Sequence, residues 1–341
     1  MINKIKIRML SKADLVKGQG VSSAYHEQVN LVKRSNKLEV RVNEKFKDAD
    51  IIHHHTIDPF NYFTMFKRKY RHVAYVHVLA EKLEGSIKLN KLFYWIFKTY
   101  THAFYKKANY LVVVNPVTTQ ILLNYGISLD KIVYIPNYVD SDLFYEEEDF
   151  VKLEYRKKLG IKQDSFVVLG VGQVLLGKGV LDFIDVAKKM PNVNFVWAGG
   201  FSFGIISDAY KQLKEYFENP PQNVKFLGIV ERDKMNEVYN AADILFMPSY
   251  NEMFPMTILE AVNTHKPLVL RNLDLYNDIL FKKYNYGENN DDFIKEINKL
   301  KSDKNHFERS KEDSIALKDF YSRNHVLKLW EDFYQMVYDE K

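Results

Sequence analysis

The chain has 341 residues, 46% of them apolar, 27% charged and none of them cysteine. That length exceeds what one hydrophobic core usually organises, so two domains are expected; the missing thiols exclude disulfides and thiolate metal sites and favour a reducing, intracellular compartment. The net charge of +5 divides unevenly: residues 1–140 hold 22 Lys and Arg against 11 Asp and Glu, and the rest hold 27 against 33. A basic half of this kind calls for an anionic partner such as nucleic acid, lipid head groups or phosphates.

The opening residues, MINKIKIRMLSKADL, alternate charge with apolar side chains and form no apolar signal core, and no 18-residue apolar run occurs. The expectation is a protein neither exported by such a signal nor spanning a membrane. Short runs rich in Val, Ile and Tyr predict strands at Ile5–Leu10, Glu39–Val42, Asp50–His55, His72–Val78, Tyr110–Asn115 and Lys131–Pro136, with helix-length segments between them. SDLFYEEEDFVKLEYRKKLG, acidic before it turns helical, reads as the linker region near residues 141–155. A second series follows at Ser165–Gly172, Val193–Gly199, Val224–Val230, Asp243–Ser249 and Pro267–Arg271. Several runs are continuously apolar, as strands covered on both faces are, and strand–helix alternation predicts parallel sheets. The fold class is α/β, with two doubly wound, Rossmann-like domains over 1–145 and 146–323 expected to face a central cleft. A C-terminal helix over 324–341 is expected to pack back on the first domain. In such sheets ligands collect beyond the carboxyl ends of the strands, so the loops after these runs are where chemistry is sought.

VLGVGQVLLGKGVLDFIDVAKKM (Val168–Met190) runs strand, glycine-punctuated loop, lysine, helix. Glycines let backbone approach an anion, a helix N-terminus favours negative charge, and Lys178 adds a cation. The spacing matches neither a Walker loop nor a dinucleotide fingerprint, and a plain strand-to-helix turn would look similar. YNEMFPMTILEAV (Tyr250–Val262) places Glu252 and Glu260 eight residues apart with Pro255 between them. Pro255 suits the first helical position, which puts Glu252 in the loop and Glu260 more than a turn inside the helix. Carboxylates bind vicinal hydroxyls and the N–H groups around Met256 and Thr257 suit phosphate, so a sugar, a diphosphate and a ribose would fill the pattern. A glutamate complementing the helix dipole beside a solvated one is the alternative reading. His53-His54-His55 does not predict a metal, because successive strand side chains point to opposite faces. Asp48-Ala-Asp50 and Asp140-Ser-Asp142 read as chance pairs, and no metal is implied.

Taken together, KGQGVSSA, YVHV, VVVNPVTTQIL, VYIPNYVDSDLF, VGQVLLGKGVLDFIDVAKKM, VWAGG, VKFLGIV and AADILFMPSYNEMFPMTILEAV resemble, in order, the retaining glycosyltransferases of family four, which have the GT-B fold. The resemblance spans nearly the whole chain, and Glu252 and Glu260 match the family's Glu-x7-Glu. It implies that Glu252 contacts the hydroxyls of the donor sugar, Glu260 those of the nucleotide ribose, and Lys178 the diphosphate. It also implies that His77 faces the donor sugar and that Gly18 and Gly20 belong to the first glycine-rich loop. Gln173, Met253, Phe254, Met256 and Thr257 complete the implied donor site. Two departures stand out: Gln173 replaces a usual arginine, and Met253 and Pro255 replace glycines flanking the aromatic. No cofactor is implied beyond a UDP-sugar donor, UDP-glucose or UDP-galactose, and the chemistry implied is metal-independent.

From Gly85 to Leu129 no acid occurs, and SIKLNKLFYWIFKTYTHAFYKKANY interleaves Lys88, Lys91, Lys98, Lys106 and Lys107 with Trp95 and other large apolar residues. FKRKYRH at Phe66–His72 precedes it. A basic helix with aromatic and aliphatic faces is the signature of a segment drawn to anionic lipid, whereas no nucleic-acid recognition motif accompanies the charge. MLSKADLVKGQGVSSAYHEQVNLV is most similar to bacterial glycosyldiacylglycerol synthases, which agrees with the charge argument. The reading is a peripheral enzyme on the cytoplasmic face of the membrane that transfers a hexose to a glycolipid such as monoglucosyldiacylglycerol. A cell-wall or capsular polysaccharide acceptor, or a non-catalytic nucleotide-sugar-binding protein, are the alternatives.

Overall fold

The computed structural model describes residues 4–12, 20–80, 90–201 and 210–340. Their contacts divide into two compact units, one of residues 4–80, 90–138 and 321–340 and one of residues 139–320. The first holds β1 (Ile5–Leu10), β2 (Leu38–Val42), β3 (Ile51–His54), β4 (Arg71–Val76), β5 (Tyr110–Val113) and β6 (Ile132–Tyr134). All pairs are parallel, in the order β2-β1-β3-β4-β5-β6. Ile7 of β1 lies opposite Val40 on one side and Ile51 on the other, so winding reverses at β1 and the switch point falls between β1 and β3. Helices α1 (Gly20–Lys33), α2 (Lys91–Lys107) and α3 (Val117–Asn124) make crossovers.

A C-terminal helix, Arg323–Asp339, closes this unit's core. Its Trp330 ring lies 5.6 Å from both His53 and Tyr75. Burial lowers the pKa of His53, leaving the imidazole neutral at ordinary pH. The Tyr334 hydroxyl accepts from the Gln28 amide at 3.1 Å and hydrogen-bonds with His53 Nδ1 at 2.7 Å. Glu331 on the same helix takes Ser35 Oγ at 2.6 Å and Lys37 Nζ at 2.8 Å.

The second unit contains β7 (Val167–Val171), β8 (Asn194–Ala198), β9 (Val224–Gly228), β10 (Ile244–Met247), β11 (Leu268–Arg271) and β12 (Asn285–Gly287). They are again parallel, in the order β12-β11-β10-β7-β8-β9, and the switch point lies between β7 and β10. Among the described residues eight helices accompany them: α4 (Asp149–Lys158), α5 (Val180–Lys189), α6 (Tyr210–Glu218), α7 (Met235–Ala241), α8 (Met256–Asn263), α9 (Asp274–Leu280), α10 (Asn290–Ser302) and α11 (Lys304–Phe320). Phe183 of α5 meets Phe195 and Trp197 edge-on at 5.3 and 5.0 Å and stacks on Phe246 at 5.7 Å, forming the centre of the core. Strand β12, Asn-Tyr-Gly, was absent from the sequence expectation because it has no apolar run. The stretch read as a linker is pinned to this unit. Asn236 and Asn240, one turn apart on α7, accept from Tyr145 N at 3.1 Å and Glu147 N at 2.9 Å.

Candidate donor-binding site

The strands of the second sheet end before the apolar runs do, and the leftover residues form the turns that carry polar groups. After β7, Gly172 adopts φ 146° and its carbonyl accepts from Trp197 Nε1 at 2.9 Å. The chain makes one turn at Leu176–Lys178 and leaves it through Gly179 at φ 69°. A Cβ at Gly179 would sit 2.3 Å from the Pro248 carbonyl oxygen, so only glycine lets the turn after β7 lie against the turn after β10. Tyr250 N donates to Gly177 O at 2.9 Å and stitches the two turns together.

This close approach brings Lys178 to Glu252, with Nζ 2.6 Å from Oε1. Glu252 is 8% exposed, so its charge is tolerated because a cation meets it directly, while the Lys178 side chain keeps a partly open face. Pro255 is the N-cap with an extended backbone, φ −71° and ψ 125°, and α8 starts at Met256, one residue later than the sequence expectation. The N–H groups of the first helical residues have no intrahelical acceptor and present a positive end to an anion. Thr257 Oγ1 turns away toward Met247 Sδ at 3.0 Å, so its hydroxyl is occupied.

Glu260, buried on α8, is held by two groups that sequence reading missed. Arg232 Nη1 donates to its Oε1 at 2.6 Å, and the Tyr239 hydroxyl donates to its Oε2 at 2.7 Å. Burial, reinforced by the Glu260 charge, pushes the Tyr239 phenol far up, so it remains a donor at any physiological pH. Arg232 lies four residues beyond β9, in the kind of post-strand loop where ligand groups are expected, and that position was the available signal. Tyr239 is on α7, whose sequence offers no such signal. The implied donor residues Gln173 and Met253 are half-buried on these turns, and the side chains of Phe254 and Met256 are buried. The second unit therefore brings Lys178, Glu252 and Glu260 onto the turns and helix that follow β7 and β10. Tyr276, on α9, adds a buried hydroxyl that has no hydrogen-bond partner among the described residues and senses the Glu252 charge.

His77 and Gly20 belong to the first unit, while Gly18 and Lys88 lie outside the described residues. His77 follows β4 and packs on Tyr75 at 4.0 Å and His55 at 6.0 Å. Burial pushes its imidazole down to about 3, and its Nε2 has no hydrogen-bond partner among the described residues. It is a neutral hydrogen-bonding group at ordinary pH, suited to a hydroxyl and not to an anion. The three consecutive histidines diverge: His53 and His55 stack at 4.4 Å on one face, while His54 Nε2 meets His72 Nδ1 at 3.2 Å on the other. Of the Asp-x-Asp pairs, Asp50 accepts from Lys6 N at 3.0 Å and Asp140 from Asp142 N at 3.0 Å, both structural roles.

Helix α2 carries Lys91, Trp95, Lys98, Lys106 and Lys107, and all five are exposed. Its buried contacts come from Thr101, Phe104 and Tyr105 alone, so the N-terminal half leaves Leu92, Phe93, Trp95 and Ile96 in solvent.

Residues 151–316 match the family "Glycosyl transferases group 1" and residues 17–143 match "Glycosyltransferase Family 4". The chain is 42% identical over 337 residues to an alpha-galactosylglucosyldiacylglycerol synthase of Streptococcus pneumoniae, covering 97% of this chain and 90% of that one. It is 26% identical to a processive diacylglycerol alpha-glucosyltransferase of Acholeplasma laidlawii, covering 85% and 86%. In fold it is similar to Anabaena HepE, solved with UDP and glucose, with a TM-score of 0.76 at 15% identity over 96% of this chain and 99% of that one. It is also similar to a sucrose-phosphate synthase of Thermosynechococcus elongatus, with a TM-score of 0.79 at 13% identity over 99% and 100%.

Proposed function

The chain belongs to the group 1 and family 4 glycosyltransferases of GT-B fold, and on that premise we propose that it transfers a hexose from UDP-galactose or UDP-glucose to a glycosyldiacylglycerol, with retention of anomeric configuration. The observation that carries the proposal is the pair of acid–cation contacts on the segments after β7, β9 and β10, Glu252 with Lys178 and Glu260 with Arg232. A UDP-sugar offers hydroxyls at both ends and a diphosphate between them. Glu260 takes the ribose hydroxyls, Glu252 those of the sugar, and Lys178 with the amino end of α8 takes the diphosphate. The cations that now neutralise the acids are thereby drawn to the phosphates, and the acids are left to accept from hydroxyls.

In the reaction the bond from the anomeric carbon to the diphosphate oxygen breaks while a bond to the acceptor hydroxyl oxygen forms on the same face. The hydroxyl proton passes to the departing diphosphate, whose growing negative charge Lys178 stabilises. The family resemblance assigns His77, neutral and with a buried Nε2 that lacks a hydrogen-bond partner among the described residues, to a sugar hydroxyl. No step requires a metal. The glycolipid acceptor is supported by the names of the two relatives and by the exposed apolar and basic face of α2. Among the described residues no helix is long and apolar enough to cross a membrane, so contact with lipid falls to such surfaces and the enzyme is assigned to the membrane face.

The test is product analysis with labelled UDP-galactose and UDP-glucose against vesicles containing diacylglycerol or glucosyldiacylglycerol. A labelled diglycosyl lipid of α configuration is expected from glucosyldiacylglycerol. Release of UDP with no lipid product, or labelling of a polysaccharide only, would refute the acceptor.

A further inference from the structure

We propose that the turn Pro59–Phe66 is a second membrane-inserting element that works beside α2 against an anionic bilayer. The inference rests on the membrane reading above and deepens it. The segment Pro-Phe-Asn-Tyr-Phe-Thr-Met-Phe forms one helical turn followed by a 3-10 turn, and it presents Phe60, Phe63 and Phe66 at 77%, 69% and 55% exposure. Three such rings in seven residues run against ordinary burial, since phenylalanine is among the residues most often inside. Their exposure does not come from a loose loop. Asp58 caps the turn by accepting from Phe60 N at 2.9 Å and Asn61 N at 3.1 Å, Pro59 fixes the first position, and Thr64 Oγ1 closes it on Asn61 O at 2.6 Å. A turn fixed in this way loses little further entropy when its rings enter lipid.

The turn is continuous with α2. Tyr62 packs on Tyr100 at 6.0 Å and Phe104 at 5.8 Å, and Lys107 Nζ lies 4.5 Å over the Phe66 ring. Helical spacing places Phe93, Ile96, Tyr100, Phe104 and Lys107 on one stripe, so the exposed apolar residues of the helix lead along it to the aromatic turn. The rim is cationic. Lys67 and Arg68 follow the turn directly and are exposed, and neither they nor Lys91, Lys106 or Lys107 have a carboxylate partner among the described residues. Apolar rings surrounded by unneutralised cations complement a bilayer with anionic head groups; a protein partner would need acids matched to each site.

The test compares wild type, Phe60→Ser/Phe63→Ser and Lys91→Glu/Lys106→Glu/Lys107→Glu in sedimentation with phosphatidylglycerol vesicles, with UDP binding as the check that each variant is folded. The serine variant should partition at least about tenfold more weakly. In a Trp95→Phe background, the Phe63→Trp indole should be quenched by lipids brominated in their acyl chains. Partitioning of the serine variant equal to wild type, or an unquenched indole, overturns the role of the turn even if the charge variant is released and the membrane reading stands. Failure of the wild type to sediment overturns both. A dimer that dissociates in the serine variant, with vesicle binding unchanged, overturns the proposal in favour of self-association.

Discussion

The two units handle charge beyond their strand ends in opposite ways. In the second, the acids are buried and each is met by a cation at 2.6 Å. In the first, the groups following β3 and β4 are neutral histidines, His55 buried and His77 half-buried, and the lysines of α2 stand in solvent beside exposed rings. Buried and paired charge holds one geometry and suits a single small ligand whose own charges can replace the partners. Exposed cations around apolar rings fix no geometry and suit a surface that is itself diffuse.

Reversing the exposed charges should give the largest change. Each lysine near an anionic surface contributes on the order of 1 kcal/mol, so Lys91→Glu/Lys98→Glu/Lys106→Glu/Lys107→Glu should weaken vesicle binding about a thousandfold or more. UDP affinity, measured by calorimetry, should stay within about twofold; a loss there would mean that the two kinds of charge serve one site. Next comes Lys178→Ala, expected to lower kcat about a hundredfold to a thousandfold, as loss of one group stabilising a developing charge typically does. Vesicle binding should be untouched, and an unchanged kcat would remove Lys178 from the reaction.

The smallest effect tests the rule that burial needs pairing. Lys266, just past α8, is buried and has no carboxylate partner among the described residues, and burial pushes its ammonium down to about 7 from 10.5. Lys152 and Lys311 also lower it, while Asp243 and Glu146 act to raise it. Because the folded pKa is the lower one, the unfolded chain binds more protons between about pH 7 and 10.5, and stability should rise with pH across that window. Lys266→Met should flatten that rise and increase stability at pH 7 by about 1–2 kcal/mol, read by denaturant titration at several pH values. A destabilised variant, or an unchanged pH slope, would show that Lys266 is satisfied by contacts of its own.

Eleven of the twelve strands were legible because continuous Val, Ile and Leu runs such as Val167–Val171 and Ile244–Met247 announce doubly covered parallel strands. Eight of those eleven carboxyl ends were read one or two residues too long, since nothing in the apolar pattern shows where backbone leaves the sheet at Gly172 or Gly199. Glu252, Glu260 and Lys178 were singled out from spacing together with family resemblance, and the structure sets Lys178 against Glu252. Arg232 and Tyr239 were not, because their meeting with Glu260 depends on how β9 and α7 lie beside α8. Pro255 looked like a first helical residue, yet its ψ of 125° leaves it as the cap. Phe60 and Phe63 were hidden for another reason: aromatic content alone does not show which way PFNYFTMF faces, and only the fold shows those two rings in solvent.

The claim on which the rest depends is that the turns and helix after β7 and β10 hold a nucleotide sugar. A crystal structure with UDP bound tests it most directly. The expected result is density with the ribose hydroxyls on Glu260, the diphosphate against Lys178 and the amino end of α8, and the Lys178–Glu252 contact opened. UDP bound elsewhere, or seated there with the diphosphate remote from Lys178 and that contact still closed, would contradict the account.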